Sequence, residues 1–209
     1  MICTCPLPTA IATIPAVSCP ETLGQIQKVA FQRLYLSAGQ KNYISAATIV
    51  TKATWTALMA TEDNDKIVVS PYINNPTSGG GDARMSSGGN DDISGIPSVL
   101  GENPVTFEGQ FRGVPQSTIA IIKELMCEAK AGNLGVYLFN ENGKIQCIQD
   151  GANCYPIPIT TLFVGSKIHG GFDAKDSNAI SWQYKEGYSD KLVIISPTDF
   201  NPVVDLIPA

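Results

Sequence analysis

The chain has 209 residues, of which 44% are hydrophobic and only 16% charged, so it can bury a sizeable core. Globular proteins are typically about one quarter charged, and the deficit is explained most simply if copies of the chain cover part of its surface. Nineteen acidic and fourteen basic residues give a formal charge of −5, which argues against a groove that grips a phosphate backbone. No run approaches the ~18 consecutive apolar residues of a membrane-spanning helix.

The first third of the chain begins with a proline-rich segment, residues 1–24, that also carries several aliphatic side chains. This composition predicts an extended N-terminal arm lying on a surface, and the lack of a basic stretch makes a signal peptide unexpected. Residues 25–36 fit either a strand or a helix, and their aromatic and β-branched content favours the strand. Residues 51–60 predict a short helix and residues 66–73 a strand.

Residues 74–95 are rich in glycine and have no periodic pattern. A stretch of roughly 20 such residues is long for a loop in a compact domain, and such loops are disordered, act as lids or become ordered on a partner. We predict that this segment is ordered against another subunit. The run 82–86 between its two glycine clusters is a candidate strand for a neighbour's sheet.

The stretch from Val105 to Ile148 gives the clearest pattern in the chain. Its first residues alternate between apolar and polar as in a strand with one buried face. Pro115 and an apolar stripe then predict a helix over about 115–131, closed by Gly132-Asn133. The Asn-Gly pair at 142–143, between two hydrophobic runs, predicts a β-hairpin.

Residues 155–165, 179–185 and 191–195 predict three further strands, the last of them buried, and residues 197–209 an extended C-terminal tail. The pattern gives eight or nine strands and two helices, with no linker between domains. We therefore expect a single domain, 1–209, of the mainly β (α+β) class, a β-sandwich or barrel-like fold with one flanking helix and a long Gly-rich loop.

Residue types with catalytic or metal-binding chemistry do not form a recognisable motif. His169 is the sole histidine and lacks the neighbours of a catalytic triad, so we interpret it as a turn histidine. Cys3-x-Cys5 lacks zinc-knuckle spacing, and 63–65 lacks the rest of a calcium loop. Gly79-Gly80-Gly81 is not followed by the lysine of a phosphate loop. We expect no catalytic residue, no metal and no cofactor, and thiols rather than disulfides at Cys3, Cys5, Cys19, Cys127, Cys147 and Cys154.

Three stretches, 19–26, 107–145 and 187–192, resemble structural proteins of phages that infect Bacteroidetes-type bacteria. The order of elements is similar to that of the major tail tube proteins of long-tailed bacteriophages. That family has a β-sandwich with a helix on its flank, a long loop or hairpin, and extended termini that touch adjoining rings.

The resemblance implies a virion structural protein that assembles in the host cytoplasm into stacked hexameric rings, the tail tube, through which DNA is ejected. Its partners would be copies of itself and other tail proteins, with DNA passing unbound along an acidic lumen and no insertion into a membrane. Another virion or cell-surface protein, such as a capsid decoration protein, and a ligand-binding or hydrolytic sandwich with the Gly-rich loop as a lid remain alternatives. The candidate interface residues are Cys3, Pro6, Ile11, Gly80, Arg84, Met85, Asp91 and Ile93, and the candidate lumen-facing acids are Glu108, Asp150, Asp173 and Asp176.

Overall fold

A computed structural model describes residues 13–17 and 21–207, and this part of the chain is mainly β, as predicted. Its helices are α1 (Lys52–Ala60), α2 (Gln116–Lys130) and α3 (Pro202–Asp205). Its strands are β1 (Ile26–Arg33), β2 (Tyr35–Ser37), β3 (Gln40–Lys41), β4 (Ile44–Ser45), β5 (Ile67–Val69), β6 (Asn74–Gly79), β7 (Ala83–Met85), β8 (Val99–Glu102), β9 (Thr106–Arg112), β10 (Leu134–Asn140), β11 (Ile145–Asp150), β12 (Asn153–Tyr155), β13 (Ile157–Val164), β14 (Ser177–Tyr184) and β15 (Leu192–Ile195).

Strand β10 is the centre of the main sheet. One of its edges pairs along its whole length with β1, and β5 continues the sheet beyond β1. Its other edge is divided, because residues 138–139 pair with β11 whereas residues 135–136 pair with β13. One branch begins with β11, which pairs with both β12 and β15, and β12 pairs in turn with β4. The other branch runs from β13 through β14 and β9 to β6. The sheet therefore splits into two branches that share one central strand.

The central strands are buried on both faces, which gives the domain two hydrophobic cores. Val29 and Phe31 of β1 point into the first core, whereas Ala30 between them points into the second. The first core contains residues of α2, β9, β13 and β14, and the second contains Trp55 of α1. In the second core Trp55 makes edge-to-face contacts with Tyr137 and Phe139, with ring centroids 5.2 and 5.4 Å apart. Burial on both faces explains why β10 is a continuous apolar run.

The elements with the clearest sequence patterns are confirmed. The strand, helix and hairpin expected after Val105 are β9, α2 and the β10–β11 pair. The helix expected within 51–60 is α1, and the strand interpretation of 25–36 holds as β1. The strand expected at 66–73 is shorter, since β5 ends at Val69, shortly before Pro71. The β15 strand, expected to be buried, is only half-buried.

The C-terminal tail differs from its prediction as an extended segment. Residues 202–205 form α3, with a proline in the first turn and the Asn201 side chain accepting a hydrogen bond from the Val203 amide at 2.9 Å. Val203 and Leu206 lie in the second core, so this end of the described chain is anchored by packing. The Asn-Pro pair was the available signal for this helix.

Residues 74–95, predicted as a Gly-rich segment without periodic structure apart from a candidate strand at 82–86, are irregular only in part. Residues 74–79 form β6, which pairs with β9 at the edge of the main sheet. The run 82–86, expected to join a neighbour's sheet, instead contains β7, which pairs with β8 of the same chain. The partner strand β8, which has glycine at 101, was not predicted as a strand.

Candidate assembly surface

A two-stranded hairpin, residues 80–104, extends from the edge of the main sheet, and we call it the arm. Its strands are β7 and β8, and it leads out of β6 and back into β9. The two sides approach closely at the base, where Gly80 has a φ of +105° and a Cβ would lie 2.5 Å from the Pro104 carbonyl oxygen. Asn103 links them further by accepting a hydrogen bond from the Gly81 amide, at 3.2 Å, and donating one to the Asp82 carbonyl, at 2.9 Å. Glycine at the base is thus required for the hairpin to form.

The tip of the arm, residues 86–98, is organised by Asp92. Its carboxylate accepts hydrogen bonds from the Gly88 amide at 2.9 Å and from the Ser98 hydroxyl at 3.3 Å. The Ser86 amide donates to the Ser98 carbonyl at 2.8 Å and closes the turn. The tip therefore has a defined shape that arises from contacts within the arm itself.

The arm carries apolar side chains that face solvent. Met85, Ile96, Val99 and Leu100 are between 49% and 68% exposed. Among the described arm residues, none belongs to either hydrophobic core. Met85 and Val99 are opposed in the β7–β8 pair, and neighbouring exposed apolar residues on a folded domain mark contact surfaces, because their exposure to water is unfavourable.

Five of the eight candidate interface residues lie on this arm. Gly80 forms its base, Arg84 and Met85 lie in β7, and positions 91 and 93 are in the 3-10 turns at the tip. The other three, at positions 3, 6 and 11, lie outside the described residues, as does most of the predicted N-terminal arm. The base of the arm is also tied to the body of the domain, because the Glu102 amide donates to the Glu186 carboxylate at 3.3 Å.

The four candidate lumen-facing acids occupy separate places. Glu108 is exposed in the middle of β9, opposite Thr77 and Ser181. Asp150, at the end of β11, forms an ion pair with Lys191, with 3.0 Å between Oδ1 and Nζ. The remaining two lie in the loop before β14, and the structure does not gather the four into one cluster. Within the described part of the chain no group of three or more histidine, cysteine, aspartate or glutamate residues is placed to hold a metal ion.

The lone histidine stabilises the loop before β14. Its Nδ1 lies 3.2 Å from Oδ2 of Asp176, whose Oδ1 accepts a hydrogen bond from the Gly170 amide, also at 3.2 Å. The pKa of the Asp176 carboxyl lies below its usual value, mainly because the Gly170 amide donates to it and to a smaller extent because His169 lies beside it. The histidine side chain itself is exposed. The geometry gives His169 a structural partner, which the sequence interpretation had not foreseen.

Three of the six cysteines, Cys127, Cys147 and Cys154, are free thiols in the structure, and the other three lie outside the described residues. Cys147 and Cys154 are fully buried on neighbouring strands. A hydrogen bond to Cys154, together with burial, raises the pKa of the Cys147 thiol. A buried thiol with a raised pKa is a poor nucleophile.

A groove rimmed by lysines opens where the two branches of the sheet separate. It encloses about 480 Å³, within the usual range of ligand-sized clefts, and we call it the lysine groove. Lys41, Lys185 and Lys191 lie at its rim, and Lys191 pairs with Asp150 there. Its apolar walls include Ile148, Tyr155, Pro156 and Ile159. Sequence reasoning missed this groove because Lys41 lies far along the chain from Lys185 and Lys191.

Comparison with known proteins places the chain in no family. No protein-family profile matches it, and no curated protein matches it in sequence. A chain of the cryo-EM structure of the anti-feeding prophage (AFP) baseplate, 6-fold symmetrised, aligns with 90% of this chain and 99% of its own length, at a TM-score of 0.32 and 9% identity. A TM-score of this size does not establish a shared fold. None of the helices among the described residues is long and apolar enough to cross a membrane.

Proposed function

We propose that this chain is a structural subunit of a virion that assembles with copies of itself. The observation that carries the proposal is the arm: an ordered hairpin whose exposed apolar side chains contact neither core of their own chain. The low proportion of charged residues supports the same conclusion, because a subunit covered by its neighbours needs less ionised surface. A surface that is apolar and repeated on each copy favours self-association.

The finer form of the proposal is a ring, stacked with others into a phage tail tube. The resemblance of the sequence to tail tube proteins supports it, as does the net charge of −5, since an acidic wall does not retain DNA. In this form the partners are copies of the chain and other tail proteins, DNA passes without specific binding, and the location is the virion tail.

Electron microscopy and sedimentation velocity of the purified full-length chain test both the self-assembling subunit and its finer form, the tail tube. Rings or tubes support the tail-tube form, and closed oligomers without tubes support only a self-assembling subunit. A chain that sediments as a monomer at its highest soluble concentration, with no particles in micrographs, refutes the proposal. The alternative of a ligand-binding or hydrolytic sandwich would then be preferred.

A further inference from the structure

We propose that the lysine groove of one copy receives the arm of a neighbouring copy. This inference rests on the proposed function, because it names the surface through which self-assembly occurs. It assigns an occupant to the groove that the resemblance does not provide. The groove and the arm complement each other in charge and in apolar character.

The first argument is electrostatic. The chain as a whole is acidic, but three lysines and one aspartate line the groove, which leaves a local excess of two positive charges. The arm carries the opposite excess, since it has four acids and one base: Asp82, Asp91, Asp92 and Glu102 against Arg84. Surfaces of opposite sign attract during encounter and disfavour incorrect docking. An acidic arm is therefore a complement that this chain itself supplies for the basic lysine groove.

The second argument concerns apolar surface. The groove walls present the half-buried side chains of Ile148, Tyr155 and Pro158. The arm presents Met85, Ile96, Val99 and Leu100 to solvent. Contact between the two would bury apolar surface on both sides within a rim of charges, which is the usual arrangement of a protein interface.

The third argument shows why the occupant comes from another copy. No described residue of the arm lines the groove of its own chain. The arm is fixed at its base by the bond from Glu102 to Glu186, which is the residue after Lys185 at the groove rim. About seven residues on each side then extend the hairpin on the order of 20 Å beyond that base, at ~3.3 Å per residue. A contact between two different surfaces is heterologous, and repeated around a closed rotation it generates a ring.

Charge reversal tests the pairing. The double variant Lys41→Glu, Lys185→Glu reverses the net charge of the groove without breaking an ion pair of the described chain. The double variant Asp82→Lys, Asp91→Lys reverses the net charge of the arm. Lys130→Glu with Lys175→Glu, outside the groove, is the matched control. Each reversed pair should raise the concentration at half-assembly by about tenfold or more, whereas the control leaves it within a factor of about two. The chain that carries all four reversals should recover, because the attraction is restored with opposite sign.

The outcomes separate this inference from the proposed function. If the wild-type chain assembles and the groove variant assembles equally well, the inference is wrong and self-assembly stands. Failure of the fourfold variant to recover, although it folds with wild-type circular dichroism, also overturns the pairing and leaves the groove to a different occupant. If the wild-type chain never assembles, the proposed function fails first and the inference fails with it.

Discussion

Replacing Val99 and Leu100 of the arm by serine should prevent assembly without unfolding the domain. The two side chains are 66% and 59% exposed and belong to neither core, so we expect the free energy of unfolding to change by less than about 1 kcal/mol. Complete burial of such a side chain contributes about 1.5–3 kcal/mol, and covering the exposed part contributes about 1–2 kcal/mol each. The double variant therefore loses about 2–4 kcal/mol per contact, or roughly a 30- to 1000-fold weaker association.

Sedimentation velocity across a concentration series measures this loss directly, and urea denaturation of the same samples shows whether folding is retained. Val204→Ser with Ile207→Ser is the matched control, because these aliphatic residues are 62% and 70% exposed at the other end of the described chain. The control should assemble like the wild type. Equal assembly of the arm variant and the wild type would refute the assignment of the arm as the contact surface. Equal loss in the arm and control variants would show that exposed apolar surface acts non-specifically.

Three further predictions concern the fold itself. Gly135→Ala should lower the free energy of unfolding by about 1–3 kcal/mol in urea denaturation, because the added methyl group would lie 2.7 and 2.8 Å from neighbouring side chains. The control is Gly79→Ala, whose methyl group would meet nothing within 4 Å, and it should change the free energy of unfolding by about 0.5 kcal/mol or less. Asn201→Ala should cost about 1 kcal/mol of thermal or urea stability through loss of the α3 cap, and an unchanged midpoint would contradict that role. The pKa of the Asp176 carboxyl is lowered on folding. Its contribution to the stability of the fold is therefore present above the unfolded pKa near 3.8, and it is lost as the pH falls through the lower folded pKa. The protection of the Gly170 amide against hydrogen exchange, relative to an unstructured peptide at the same pH, should fall in that acid range in the wild type, and Asp176→Asn should remove this pH dependence.

Local patterns in the sequence predicted the elements whose signals lie within a few residues. The apolar stripe of α2 and the Asn-Gly turn between β10 and β11 are examples, and the structure contains both. Strand β10 was also predicted, but its burial on two faces was not, since a run of apolar residues does not show what covers each side. The two cores arise from pairing between β1 and β10, which are about a hundred residues apart in the chain.

The sequence indicated which part of the chain carries the candidate surface, but not that this part forms a hairpin. The glycines at 79–81 correctly marked a special segment, but we interpreted their conformational freedom as irregular structure. In the structure, Gly80 serves a close approach between two strands of one hairpin, which depends on Pro104, far along the chain. The lysine groove was not predictable at all from local patterns, because it exists only where β11 and β13 separate from β10.

The strands of the arm form a two-stranded sheet of their own, but the chain connects them to two strands of the main sheet, and this gives the domain a mechanical property. Its two sides lead directly into β6 and β9, and β9 is held to β14 by seven opposed residue pairs. Ladder bonds run perpendicular to their strands, so tension along β9 loads these bonds together in shear rather than opening them one at a time. Tension applied at the hairpin tip is thereby transmitted into the strand that stacks Phe107 against Trp182, with ring centroids 4.0 Å apart in the first core.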